Sequence, residues 1–332
     1  MKSAVINLYT KFTNFGGAQK IAMVLYQDLL SDRQSFLMGL TKYYDINEKY
    51  PKVLETFYLS FSMRNILKHR DSVFVSHHRQ ITTLLVIIKK LFFLDLRIIH
   101  VSHNEFYTLK FLTLFPEKII AVSNKVKLNL QSYFNVENHR IHIIYNGVAD
   151  RLRRGEVNTY DSGRIRILYP ARVNSVKQQV AIVEKIKGVL CNSVSIDFAG
   201  EGEDSKELNK ACDGTTQFNY IGFVPIDQVI HNYDFVMLFT RNEGLPLSLI
   251  EACMFKKPII ANDVGGNLEI LKNGYNGFVL SSFESLAAEL NELQKVSKAE
   301  YSELAINARK TYMDHFTIDK MILNYRDIID GL

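Results

Sequence analysis

Two carboxylates, Glu243 and Glu251, stand with seven residues between them in the run Arg241-Asn242-Glu243-Gly244-Leu245-Pro246-Leu247-Ser248-Leu249-Ile250-Glu251-Ala252. Paired carboxylates suit sugar and ribose hydroxyls, which donate hydrogen bonds to them. Pro246 marks a helix start, so Glu243 falls on the preceding loop and Glu251 inside the helix, and both can reach one ligand from different depths. Taken singly, each has an ordinary alternative: Glu251 as a surface helix acid, Glu243 as an acid near a cap. Arg172 and Lys177 add two cations five positions apart. An arginine grips a diphosphate with two parallel bonds, and a lysine adds a mobile point charge. Without the other motifs they would read as a solvated basic loop. Phe15-Gly16-Gly17-Ala18 opens a helix where backbone N–H groups can face an anion, although Gly-Gly before a helix is as often an empty tight turn.

These residues need elements to hold them. Short β-branched runs at residues 3–9, 35–40, 72–76, 97–102, 118–122 and 141–145 alternate with amphipathic stretches such as 17–30, 80–93 and 123–134. Continuous apolar strands separated by helices of crossover length predict a parallel, doubly wound sheet. After the Asn146-Gly147 turn, the polar stretch 150–163 has no periodicity and reads as a linker. A second series follows, with strands at 164–170, 194–199, 217–221, 234–239, 258–261 and 277–280 and helices near 178–189, 246–255 and 283–293. Two further helices, 298–315 and 318–329, lack partner strands and read as bracing one domain against the other. The expected division is 1–150, an N-terminal acceptor domain; 151–163, a linker; 164–310, a nucleotide-sugar-binding domain; and 311–332, the bracing helix. Arg172 and Lys177 then lie just past the first strand of the second sheet, at the edge where doubly wound domains bind ligands.

The constellation resembles the retaining GT-B glycosyltransferases of family four, whose signature is this Glu, seven residues, Glu arrangement. The resemblance covers nearly the whole chain. Gly16-Gly17-Ala18 resembles the family's N-terminal glycine loop, Arg172 and Lys177 its diphosphate-binding pair, and Gly200-Glu201-Gly202 its glycine turn after the second strand of the second domain. Asn146-Gly147-Val148 resembles the interdomain turn, Gly222-Phe223-Val224 the nucleoside-side loop, and Val264-Gly265-Gly266-Asn267-Leu268-Glu269-Ile270 the glycine segment beside the donor. The resemblance implies two Rossmann-like domains facing across a cleft. It implies that Glu243 holds hydroxyls of the transferred sugar, Glu251 the ribose, and the backbone from Gly265 to Leu268 the diphosphate or sugar, with Gly244, Leu245 and Pro246 lining the donor. His103, in Val101-Ser102-His103-Asn104-Glu105, matches the family's histidine that contacts the donor sugar; a satisfied loop histidine is its alternative. His77 and His78 end another strand and are weaker candidates. Three positions depart from the family pattern: Ala171 and Gln178 replace glycines, and Gln19 stands where an acid is common. None removes a charge that a diphosphate needs.

The chemistry expected is transfer from a nucleoside-diphosphate sugar, by default a uridine diphosphate sugar, with Arg172, Lys177 and the Gly17 helix end stabilising the leaving diphosphate. No DxD motif stands in a strand-loop setting, and with two cations at hand the transfer is expected to run without metal or other cofactor. Retention of configuration follows from the resemblance alone. A non-hydrolysing nucleotide-sugar epimerase on the same architecture, or a non-catalytic nucleotide-sugar-binding module, are the alternatives.

Composition sets the remaining bounds. With 332 residues, 47% hydrophobic and 23% charged, the chain has apolar surface for two domains of about 150 residues each. Three cysteines, Cys191, Cys212 and Cys253, form no CxxC pair, and no leader is visible, which fits a reducing cytosol. The apolar run 81–96 is broken by Lys89 and Lys90 and falls short of a membrane span. Residues 1–150 carry 19 Lys and Arg against 11 Asp and Glu; residues 151–332 carry 21 against 24. Arg64, Lys68 and Arg70 follow the apolar run 57–61, and Lys89 and Lys90 sit within 84–93. Basic and apolar residues mixed in this way suit the inner face of a membrane and a polyprenol-linked or other surface-glycan acceptor. A plain crossover helix with solvated lysines is the alternative reading of 84–93. Nucleic acid is not an expected partner, because the basic residues form no aromatic-interleaved stripe. A nicotinamide dehydrogenase does not fit either, since Gly200-Glu201-Gly202 lacks the third glycine.

Overall fold

A computed structural model describes residues 2–13, 16–50, 52–53, 55–152 and 160–332. The chain divides into two compact units, one of residues 1–146 with 319–332, the other of residues 147–318.

Unit one contains β1 (Val5–Leu8), α1 (Gly17–Leu29), β2 (Ser35–Gly39), β3 (Tyr58–Ser60), α2 (Met63–Lys68), β4 (Val73–Ser76), α3 (Arg79–Leu91), β5 (Arg97–Ser102), β6 (Lys118–Ala121), α4 (Asn124–Ser132) and β7 (Ile141–Ile143). Its seven strands lie in the order β3-β2-β1-β4-β5-β6-β7, and every neighbouring pair is parallel. β1 and β4 are buried along their whole length, as strands covered by helices on both faces must be. Ile6, Leu8, Phe74, Leu85 and Ile98 pack into one core cluster, and Phe12, Ala22, Met23, Tyr26 and Leu37 into another. Asn7 and Ser76 are the polar residues inside these two strands, and both are fully buried.

Unit two contains β8 (Ile165–Pro170), α5 (Gln179–Ile186), β9 (Val194–Ala199), α6 (Ser205–Cys212), β10 (Phe218–Gly222), α7 (Ile226–Val229), β11 (Phe235–Leu238), α8 (Leu247–Met254), β12 (Ile259–Asn262), α9 (Asn267–Ile270), β13 (Gly277–Leu280), α10 (Leu286–Glu292) and α11 (Lys298–His315). Six parallel strands take the order β10-β9-β8-β11-β12-β13. The final helix, α12 (Ile318–Asp330), belongs to unit one from Asp319 onward. Both units are therefore doubly wound parallel sheets, and their order reverses between β1 and β4 in the first and between β8 and β11 in the second.

The expected strands are all present: those at 97–102, 194–199 and 277–280 have the expected bounds, those at 217–221 and 258–261 lie one residue later, and the others are shorter by one to three residues. β3, α2, α6, α7 and α9 have no counterpart in the sequence reading. The boundary expected at 310–311 falls inside α11, which runs unbroken from Lys298 to His315. Within the linker expected at 151–163, residues 153–159 lie outside the described residues. α12 is tied within unit one by ion pairs from Arg33 to Asp330, 2.6 Å, and from Arg326 to Asp28 and Asp32, 2.5 and 2.7 Å.

Candidate functional site

In unit two the chain leaves β8 through Ala171 and Arg172 and leaves β11 through Thr240 to Glu243. Because β8 and β11 are neighbours at the point where strand order reverses, their loops emerge side by side. They are knitted together: Arg241 N donates to Val176 O at 2.9 Å, Thr240 Oγ1 to Val176 O at 3.0 Å, and Arg241 Nε to Gln178 Oε1 at 3.0 Å. From beneath, the Tyr169 hydroxyl lies 2.7 Å from the carbonyls of both Lys177 and Phe239. This frame brings Lys177 Nζ onto Glu243 Oε1 in a largely buried ion pair. Burial and the neighbouring Arg172 cation lower the Lys177 pKa to about 8. Arg172 is exposed, with no side-chain partner among the described residues, so its guanidinium is open to an anion.

Gly265 explains why the next loop needs a glycine. Its φ is +54°, and a Cβ there would stand 1.9 Å from the carbonyl oxygen of Glu243. Gly266 N donates to Gly244 O at 2.8 Å, so the segment after β12 lies directly on the Glu243 loop. Gly244, Leu245, Pro246, Gly266 and Asn267 are all buried in this layer. The side chain of Asn267 holds its position by donating to Asn262 O at 3.0 Å. Pro246 takes the cap position with extended backbone, and the helix begins one residue later than the sequence suggested, at Leu247.

Gly200 and Gly202 serve backbone packing. A Cβ on Gly200 would lie 2.0 Å from Ala171 O, and one on Gly202 would lie 2.0 Å from Val173 O. They let the loop after β9 close against the Arg172 loop, with Val173 N donating to Glu201 O at 3.1 Å. Glu201 itself is exposed. At the end of β10, Gly222 has a φ of +67°, Phe223 is exposed and Val224 half-buried. Glu251 is not bonded to the Lys177–Glu243 pair; its Oε1 accepts from Arg151 Nη2 at 3.0 Å. Arg151 also lies 3.4 Å from Asp227, on α7 just past the Gly222-Phe223-Val224 loop. Sequence reasoning missed Arg151, because nothing local distinguishes it. Gln178, one of the departures from the family pattern, has a φ of +58° at the cap of α5, a left-handed conformation that glycine adopts without cost.

In unit one, Gly16 caps α1 with extended backbone; the first turn carries no acid, and no side chain caps it. Gly16 N donates to Tyr50 Oη at 3.3 Å. Asn14 and Phe15 of this loop lie outside the described residues. Gln19, where the family often has an acid, is buried and donates to Lys11 O at 3.4 Å. His103 follows β5 as expected, half-buried, with Nε2 2.9 Å from Nδ1 of His77. His77 is 4% exposed, and its Nε2 lies 3.5 Å from Oδ1 of Asn7. Burial lowers the His103 pKa to about 3 and holds His77 well below its ordinary value, so both rings are neutral near pH 7. The sequence rated His77 a weak candidate and passed over Asn7. The signal available for Asn7 was a lone amide in the apolar run Val5-Ile6-Asn7-Leu8.

Two sheets of this order, with glycine-rich loops and cations at a switch point, define a GT-B architecture. Residues 153–311 match the family Glycosyl transferases group 1, and residues 31–151 match Glycosyltransferase Family 4. The chain belongs to these glycosyltransferases. It is 25% identical over 231 residues to the uncharacterized glycosyltransferase MJ1178 of Methanocaldococcus jannaschii, covering 68% of this chain and 63% of that protein, a little under two thirds of it. It is 23% identical over 308 residues to the O-antigen biosynthesis glycosyltransferase WbnH of Escherichia coli, covering 88% of this chain and 83% of that one. Among solved structures, Anabaena HepE in complex with UDP superposes with a TM-score of 0.83 at 14% identity over the full length of both chains, and HepE has also been solved with UDP-glucose.

Proposed function

We propose that this chain transfers a sugar from a uridine diphosphate sugar to a glycan or polyprenol-linked glycan acceptor, with retention of configuration, in the assembly of a bacterial surface polysaccharide. The observation that carries the reading is the Lys177–Glu243 pair at the switch point of unit two, backed by Gly265 and with Arg172 open beside it. An entering diphosphate exchanges with the carboxylate as the partner of Lys177 and adds Arg172. Glu243 is then free to accept hydrogen bonds from hydroxyls of the transferred sugar. The names of WbnH, an O-antigen enzyme, and of the HepE complexes with UDP and UDP-glucose support the class of donor and product.

Breaking the bond between the anomeric carbon and the diphosphate oxygen puts negative charge on the leaving group and oxocarbenium character on the sugar. Arg172 and Lys177 stabilise that charge where it develops, and they take the place of a metal ion. The acceptor hydroxyl attacks from the leaving-group face, and its proton passes to the departing diphosphate. Glu251, with Arg151, receives the ribose. Gly200, Glu201, Gly222, Phe223 and Val224 border the nucleoside. On unit one, the α1 end at Gly16 and Gly17, together with His103, are the groups that the family resemblance assigns to the donor.

The chain is proposed to work at the cytoplasmic face of a membrane. No helix among the described residues is long and apolar enough to cross one. A transfer assay with labelled UDP-sugars and a lipid-linked glycan acceptor tests the reading. Transfer that persists in a chelator and yields a product of unchanged anomeric configuration by NMR is expected. Activity abolished by the chelator and restored by a divalent ion removes the metal-free step, and an inverted product removes retention.

A further inference from the structure

The histidines at the carboxyl ends of β4 and β5 form a directed chain of hydrogen bonds that begins inside the sheet. Asn7 sits on β1 beside Val75 of β4, fully buried. Its Oδ1 lies 3.5 Å from His77 Nε2 and can only accept, which assigns the proton to Nε2, while its Nδ2 is buried with no partner among the described residues. His77 is neutral, which leaves Nδ1 as a bare acceptor, and His103 Nε2 lies 2.9 Å from it. The two rings lie 5.2 Å apart at 24° to one another, so the contact fixes the plane of His103 as well as its proton.

From this geometry we infer that His77, anchored by Asn7, is a positioning residue that locks His103 in the Nε2–H tautomer and leaves its Nδ1 as a hydrogen-bond acceptor. A ring in that state receives a hydrogen bond from a hydroxyl and cannot donate one to an anion. His103 therefore recognises a hydroxyl-bearing ligand group, and a negatively charged one is disfavoured. The burial that keeps both rings neutral supports this assignment. That the hydroxyl belongs to the transferred sugar rests on the transferase reading above; the tautomer does not.

The test is a long-range 1H–15N spectrum of the full chain with 15N-labelled histidine, recorded for the wild type, His77→Leu and His77→Asn, with folding of each checked by thermal unfolding and UDP binding by calorimetry. The expected wild-type result is a proton on Nε2 of both rings. His77→Leu removes the acceptor and returns His103 to a mixture of tautomers, a shift of about tenfold in their ratio. His77→Asn keeps an oxygen near the former Nδ1 position and restores the single tautomer. A proton on Nδ1 of His103 in the wild type, or a tautomer ratio unmoved in a folded His77→Leu protein, overturns the inference. Failure of the wild type to bind UDP would count against the transferase reading alone, since the spectrum is read without any ligand.

Discussion

Lys177 holds its proton less tightly in the folded protein than in the unfolded chain, with a pKa near 8 against an ordinary 10.5. Two effects of opposite sign follow. Between those two values the unfolded chain binds the proton and the folded one does not, so this residue makes folding more favourable as pH rises. Binding of a diphosphate runs the other way, because above the folded pKa the anion has to draw a proton onto Lys177 as it binds. UDP affinity measured by calorimetry is expected to fall by up to about tenfold for each pH unit above roughly 8, and to be flat below about 7. An affinity that rises from about pH 7 to about pH 9 would show that Lys177 does not meet the diphosphate.

Elements place these residues through two kinds of contact, close backbone approach and buried charge. Gly265→Ala puts a methyl group into the Glu243 carbonyl at a positive φ, so the loop after β12 has to lift away from Glu243. A stability loss of about 2–4 kcal/mol in urea unfolding is expected, together with weakened UDP binding; a fully stable variant with intact binding would contradict the contact. α12 is held to unit one through Arg33, whose side chain is 1% exposed and pairs with Asp32 and Asp330. Hydrogen bonds from Arg33 depress the pKa of both carboxyls. Their stabilisation is present above the unfolded value of 3.8 and is lost as pH falls below it. Arg33→Leu is expected to cost about 1–2 kcal/mol near neutral pH and to flatten the acid limb of the stability curve. A variant whose stability still falls as steeply in acid would assign that limb to other groups.

At this scale the sequence was legible where burial imposes a pattern. Val73-Phe74-Val75 read as a strand because both faces of the sheet are covered there, and Val194 to Ala199 because Val194, Ile196 and Phe198 are buried in alternation with half-buried Ser195 and Asp197. α6 went unread because only Leu208 and Cys212 of its eight residues are buried, and α9 is a single turn. Within the site, Lys177 and Glu243 could each be placed on a loop from local signals. That the two loops adjoin depends on β8 and β11 being neighbours, which no local pattern carries. Arg151 and Asn7 escaped for the same reason, since each matters through a residue distant in sequence.

Across the whole molecule, the basic excess of residues 1–150 coincides with apolar side chains left uncovered. Leu84, Ile87 and Leu91 are exposed on α3, followed by Phe92 and Phe93, the last 95% exposed. α3 is thus a crossover helix with a second apolar stripe, and of its two lysines Lys89 turns back to Leu96 O at 2.6 Å while Lys90 is exposed. Such a surface suits anionic lipid. Co-sedimentation with anionic vesicles at low salt is expected to weaken several-fold in Phe92→Ser/Phe93→Ser; equal sedimentation of that variant, or none by the wild type, would contradict the membrane proposal. Whether unit two holds a nucleoside diphosphate on Arg172 and Lys177 is read by calorimetry of UDP, GDP and ADP with the wild type and Arg172→Ala, without metal. UDP is expected to bind, and Arg172→Ala to weaken it at least about tenfold through loss of a charge-assisted bidentate contact. Binding of none of the three, or UDP binding untouched by Arg172→Ala, would contradict it.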